Sequence, residues 1–146
     1  MKGKRGPKDL QKKSLPELKR TLWDEFSEYI RRRDTDAHTG WGNCISCGAP
    51  IQFGTTNCQA GHWIPKGKGG GHSLAYREEN VNAQCASCNL HEGGNFVSYE
   101  QNLRLKYGDD VVDELKEQGD KSSLTDWGRD EYIERIEHYR AELKEM

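Results

Sequence analysis

The sequence predicts a small α+β fold, zinc-stapled and with flanking α-helices, and three observations point there. Only 33% of the 146 residues are hydrophobic against 32% charged. A core that thin needs a metal or disulfide staple. Four of the five cysteines fall into two C-x-x-C pairs, Cys44/Cys47 and Cys85/Cys88, which in an intracellular chain favours zinc over disulfides. Both ends of the chain carry apolar residues at helical spacing, whereas the middle is rich in glycine and hairpin signals. No run of 18 apolar residues and no apolar N-terminal signal region occurs. The expectation is therefore a soluble cytoplasmic protein with no membrane partner.

Charge is unevenly placed. Residues 1–33 hold eleven Lys/Arg against five acids, residues 34–108 sum to −1, and residues 109–146 hold six bases against thirteen acids. A basic N-terminal arm suits a nucleic-acid partner, since phosphate contacts use Lys and Arg. A merely solubilising acidic tail is the competing reading of the same numbers.

The elements follow in chain order. Residues 1–13 have no apolar period and read as a flexible basic arm. "SLPE" at 14–17 is a capping box, with Ser14 as N-cap and Glu17 reaching back. Leu18, Leu22, Phe26 and Ile30 then form one apolar face, predicting a helix to about Arg33 within a unit spanning 14–34. The run Arg31, Arg32, Arg33 at its end suits the helix dipole. A polar connection leads to a core at 43–95 with two knuckle or hairpin signals and the loop "PKGKGGGHS", whose four glycines predict an exposed segment. A helix is expected from about Cys85 to Glu92, stopped by "GGN" with Asn95 as a cap. The C-terminal extension, 96–146, is helical: Phe96, Tyr99, Leu103 and Tyr107 share a face ended by Gly108. Val111, Val112 and Leu115 mark a short helix, and Tyr132, Ile133, Ile136, Tyr139 and Leu143 an acidic final one.

Cys44, Cys47, Cys85 and Cys88 supply a closed tetrahedral thiolate shell for structural zinc. The 37 residues between the pairs exceed ordinary zinc-ribbon spacing, so something sizeable is inserted there. Cys58 reads as a small buried residue, and Trp41 and Trp63 as packing around the core. A regular helix over 85–93 puts Cys85, Cys88, Asn89 and Glu92 on one face. The zinc would then bring His62, on a β-like stretch, to meet Asn89 and Glu92.

The insertion also carries a resemblance. The pattern "AGH…H…N-x-x-x-Q-C-x-x-C-N-x-H-x-x-G-N", with "FSEYIRRRD" and "LRLKYG", resembles the phage NinG (Rap) recombination proteins, within the HNH nucleases, over most of residues 20–108. "C-N-x-x-E-G" at 88–93 is also similar to recombination endonuclease VII, a phage Holliday-junction resolvase. The resemblance implies a ββα-metal (treble-clef-like) core and an endonuclease that cleaves branched DNA such as Holliday junctions and D-loops. It implies His62 as the general base, Asn80 as the amide that orients it, and Asn89, Glu92 and His91 as ligands of a catalytic Mg²⁺ or Mn²⁺, with His72 in support. A pKa near 6.5 suits an imidazole to that work. Lys66, Lys68, Arg77, Arg31, Arg32 and Arg33 would hold phosphates. Many HNH enzymes have an aspartate ligand directly before the base; here Gly61 stands there.

Two other readings remain open from sequence: a non-catalytic zinc-stabilised DNA-binding module, and a protein-interaction zinc domain that docks through its acidic helix. Two cuts resolve a four-way junction, so a homodimer is expected of a resolvase, with the apolar faces of 15–33 or 95–107 as its interfaces.

Overall fold

The computed structural model describes residues 7–65, 73–120 and 127–146. Its longest element, α2 (Leu15–Arg33), begins on the capping box read from the sequence. Glu17 N–H donates to Ser14 Oγ, and Ser14 N–H donates to Glu17 Oε1 at 2.8 Å. Leu18, Leu22, Phe26 and Ile30 are fully buried against the final helix, α5 (Arg129–Glu145), which contributes Tyr132, Ile133, Ile136 and Tyr139. Phe26 and Tyr139 meet edge to face, centroids 5.1 Å apart.

The N-terminal arm departs from expectation. Pro7–Gln11 forms a one-turn helix, α1, whose Leu10 is buried in the α2–α5 core, and Arg129 donates to Gln11 O at 2.9 Å. A single apolar side chain anchors it, which is too little to register as a period. Residues 1–6 lie outside the described part.

Two small antiparallel sheets make the middle. Strand β1 (Trp41–Asn43) pairs with β2 (Pro50–Gln52), and β3 (Gln59–His62) with β4 (Val81–Gln84), in register from Gln59↔Gln84 to His62↔Val81. All four residues of β4 are buried. Two short 3₁₀ turns, Ser73–Tyr76 and Glu78–Asn80, lead into β4.

Between β4 and α3 (Phe96–Tyr107) the expected regular helix is a wide turn at Ser87–His91, in which Glu92 N–H bonds Ser87 O five residues back. Opening the helix by one residue per turn changes which side chains share a face. Helix α3 ends at Gly108, which takes φ 92°, and α4 (Asp109–Asp120) follows. Tyr99, Leu103, Val112 and Leu115 close a second core with Trp63 and Leu74. The two apolar faces expected to form a dimer interface are thus largely covered from within the chain. No helix among the described residues is long and apolar enough to cross a membrane.

Candidate functional site

The four knuckle cysteines converge. Their sulfurs all lie within 4.8 Å of one another, and Cys47 and Cys85 are 3.8 Å apart. A tetrahedron with metal–sulfur bonds of about 2.3 Å sets sulfur separations near ~3.8 Å, so the donor set matches a metal such as zinc. None of the five cysteines is in a disulfide. Ser46 and Cys47 N–H groups point at Cys44 Sγ, Cys88 N–H at Cys85 Sγ, and Asn95 Nδ2 at Cys88 Sγ, at 3.4–3.5 Å. Such donors stabilise thiolates and orient ligands. Burial pushes the Cys88 thiol up to about 12. At Cys44 burial also pulls upward, but the N–H groups of Cys47, Cys85 and Ser46 outweigh it and hold that thiol below the usual range. Cys58 is buried beside this cluster with Ile51 and Ala83.

Asn95 sits at the N-cap position of α3, as expected, but with φ 48° and without a side-chain cap. Its amide goes to the Cys88 sulfur instead.

The cysteine clamp fixes the Ser87–His91 turn against the β3–β4 hairpin. Asn89 Nδ2 donates to Gln59 Oε1 at 2.8 Å. A Cβ on Gly61 would lie 2.9 Å from Asn89 Oδ1 and overlap Gln84 Oε1 outright. This accounts for glycine where an aspartate was the usual expectation: the Gln84 amide fills the space its side chain needs.

Successive strand residues face opposite ways, so His62 turns from this turn toward α2. Its ring stacks on Trp23 at 5.2 Å with planes 19° apart, and Nε2 lies 2.9 Å from Ala75 O. A carbonyl only accepts, so Nε2 carries a proton and donates it to that bond. The expected meeting of His62, Asn89 and Glu92 on a single face does not occur. Asn89 approaches β3 from one side and the imidazole leaves it on the other. Glu92 closes the wide turn with an exposed side chain.

Asn80 is fully buried and braces the loop, not the imidazole directly. Its Oδ1 accepts from Ile64 N at 2.9 Å, and Nδ2 donates to Ile64 O and Leu74 O at 3.0 Å. The Leu74 carbonyl it holds precedes the Ala75 carbonyl that pins His62. Its effect on the ring therefore passes through the backbone.

The basic residues divide. Arg33 donates to both Asp34 oxygens, Glu78 O, Val81 O and Asn82 Oδ1, so it braces the hairpin and is not a surface phosphate contact. Lys106 adds bonds to Asp34 and Asn82 at 3.0 and 2.8 Å. "FSEYIRRRD" and "LRLKYG" meet in this cluster. Arg77 is paired with Glu79 and Glu114, another departure from a phosphate role. Arg31 and Arg32 flank the Phe53 ring, with Arg32 also bound to Glu28. Trp41, expected in the core, is 51% exposed, whereas Trp63 is buried. Lys66, Lys68, His72 and the His91 side chain lie outside the described part.

Sequence reading missed Trp23, Gln59, Gln84 and the Arg33–Asp34–Asn82–Lys106 cluster. Trp23 falls one residue off the apolar stripe of α2, and Gln84 had only its place before Cys85 to mark it.

Together these features define a class: a small α+β chain whose four-cysteine clamp, suited to a metal such as zinc, fixes a β-hairpin to a short helical turn. The family model described as Bacteriophage Lambda NinG protein matches residues 3–146, and the chain belongs to that NinG family. It is 30% identical to protein ninG of Escherichia phage lambda over 118 residues, covering 81% of this chain and 52% of that protein. Protein ninG of Salmonella phage P22 gives the same identity and coverage. That of Escherichia phage 933W is 34% identical over 88 residues, covering 60% of this chain and 39% of that protein. The chain thus spans about half the length, or less, of these curated relatives. No solved structure matches it.

Proposed function

We propose that this chain is a structure-specific DNA endonuclease of the ββα-metal (HNH) kind. It cleaves branched recombination intermediates, such as Holliday junctions and D-loops, by metal-assisted phosphodiester hydrolysis. The observation that carries the reading is the held imidazole: His62 is stacked on Trp23 and bonded through Nε2 to Ala75 O, one residue after the strand position that Asn89 approaches.

In this reading zinc holds the hairpin and the turn together through Cys44, Cys47, Cys85 and Cys88. His62 takes the proton of the attacking water. Its Nε2–H donates to the Ala75 carbonyl, which steadies the imidazolium that forms. Asn89 Oδ1 is the fixed ligand for Mg²⁺ or Mn²⁺, both of which prefer oxygen donors. Glu92, exposed at the end of the same turn, and His91 are the remaining expected ligands. Bound there, the cation would stabilise charge on the scissile phosphate and the departing 3′ oxygen. Strand β3 pairs only with β4 among the described residues. A phosphate at its open edge is the arrangement that lets groups on both faces reach one reacting centre. Arg31 and Arg32 keep a surface position for backbone phosphates, which carry affinity without sequence.

The test is cleavage of a panel of four-way junctions, flaps, loops and nicked duplex with Mg²⁺ or Mn²⁺, comparing wild type with His62→Gln. A loss of at least ~10²-fold with DNA binding retained is expected, and products should end in 5′-phosphate and 3′-hydroxyl. Equal cleavage by the variant removes His62 from the mechanism. Salt-dependent binding without cleavage by the wild type favours the non-catalytic DNA-binding module. The placement of Asn89 and His62 on opposite faces of β3 is the observation that keeps that second reading in view.

A further inference from the structure

Two amide side chains beside the cysteine clamp have their oxygens turned to the same point by bonds that cannot be reversed. Gln84 is fully buried, and its Nε2 donates to Gly94 O and Ser46 Oγ, each at 2.8 Å. The Gly94 carbonyl only accepts, so the nitrogen belongs there and Oε1 must face Gly61. Asn89 is fixed by a longer chain: Gln59 Nε2 donates to Thr56 O at 2.8 Å, which leaves Gln59 Oε1 to accept from Asn89 Nδ2 at 2.8 Å. Asn89 Oδ1 is thereby directed to the same place, within 3 Å of where a Gly61 Cβ would stand. Gln84 Oε1 is a buried side-chain oxygen with no hydrogen-bond partner among the described residues. A buried acceptor left that way is costly.

We propose that Gln84 Oε1 and Asn89 Oδ1 jointly bind one hard divalent cation above Gly61, making Gln84 a metal ligand. Hydrogen bonding alone would accept a bridging water equally well; the local field selects the cation. Gln84 adjoins Cys85 and Asn89 adjoins Cys88. A divalent ion held by four thiolates leaves two uncompensated negative charges there. The amide oxygen of Gln84 then takes the place of the carboxylate that Gly61 lacks. The role of this cation rests on the endonuclease reading; its binding does not.

The experiment uses the zinc-loaded full chain and Mn²⁺ alone, followed by electron paramagnetic resonance and by anomalous diffraction from crystals grown with Mn²⁺. A single anomalous peak within about 2.5 Å of both oxygens is expected. Gln84→Met should weaken Mn²⁺ binding at least tenfold, and Asn89→Asp should tighten it about tenfold. Asn89→Asp and the anomalous map decide the matter if Gln84→Met does not fold. Ordered water alone at the two oxygens, a peak on Asn89 and Glu92 that leaves Gln84 out, or unchanged affinity in both folded variants overturns the inference. Wild-type protein that holds Mn²⁺ at this position but cuts no DNA refutes the endonuclease and leaves the cation site standing. Cleavage with the cation elsewhere does the reverse.

Discussion

Gly61 shows how much one missing side chain decides. Its neighbours in the space above Cα are side-chain oxygens, one of them on a residue locked by Gly94 and Ser46. The substitution Gly61→Ala is expected to destabilise the fold by about 1–3 kcal/mol, the usual cost of overpacking, read as a lower midpoint in urea with an unchanged slope. The side-chain amide resonances of Gln84 and Asn89 should shift with it, because neither group can stay in place. Wild-type stability together with unmoved amides would mean that Gln84 does not occupy the Cβ space. The same crowding explains why this chain departs from the aspartate-bearing pattern at that position. The departure belongs to a two-residue arrangement, with Gln84 as its other half. Asn80 and Arg33 make a related point: both matter through backbone carbonyls they hold, and a residue-type motif contains no trace of that.

At the scale of elements, the acidic helix α5 is structural. Sequence charge allowed a docking surface or a solubilising tail, yet α5 lays Tyr132, Ile133, Ile136 and Tyr139 on α2 and pairs Arg140 with Glu25 at 3.0 Å. Burial of four such side chains contributes roughly 1.5–3 kcal/mol each, comparable in total to the ~5–15 kcal/mol of a whole domain. A chain ending after Gly128 is therefore expected to lose cooperative unfolding and to self-associate through the uncovered face of α2. Sedimentation and a thermal melt read this out; a monomeric truncation with a sharp melt would contradict it. Helices α2, α3 and α5 were legible in sequence because their apolar residues repeat at helical spacing and their ends carry a capping box or Gly108. The Ser87–His91 turn was not. The i, i+3, i+4 rule presumes a regular helix, and the one-residue widening changes which side chains share a face. The four cysteines were legible because their spacing encodes a metal shell. The turning of His62 toward Trp23 was hidden because strand alternation gives the two faces without saying which element covers each.

Across the whole molecule, the cysteine clamp joins segments that share little else. The β1–β2 hairpin has a small apolar anchor, chiefly Ile51 against the cysteines. Its other ties are individual bonds such as Ile45 N to Ala83 O at 3.0 Å, Asn102 Nδ2 to Ile45 O at 2.7 Å and Ala86 N to Asn57 Oδ1 at 3.0 Å. Each such bond contributes about 1 kcal/mol net, whereas structural zinc is worth roughly 10–16 kcal/mol in small zinc-folded peptides. The α2–α5 core has no cysteine in it and does not depend on the metal for its packing. Removal by a strong chelator of the metal these four sulfurs are suited to hold, or Cys47→Ser, is thus expected to divide the molecule. Far-ultraviolet circular dichroism should keep most of its helical signal, while amides of residues 41–58 and 85–95 lose protection from hydrogen exchange. The cleavage of branched DNA proposed for this chain should vanish with them, because Asn89 would lose its fixed relation to β3. The decisive comparison is exchange protection of Ile45, whose N–H bonds Ala83 O, and Asn89, whose N–H bonds Cys85 O, with and without the metal. If both stay protected after chelation, hydrogen bonding and Ile51 suffice to hold the turn, and the clamp is not what positions the site.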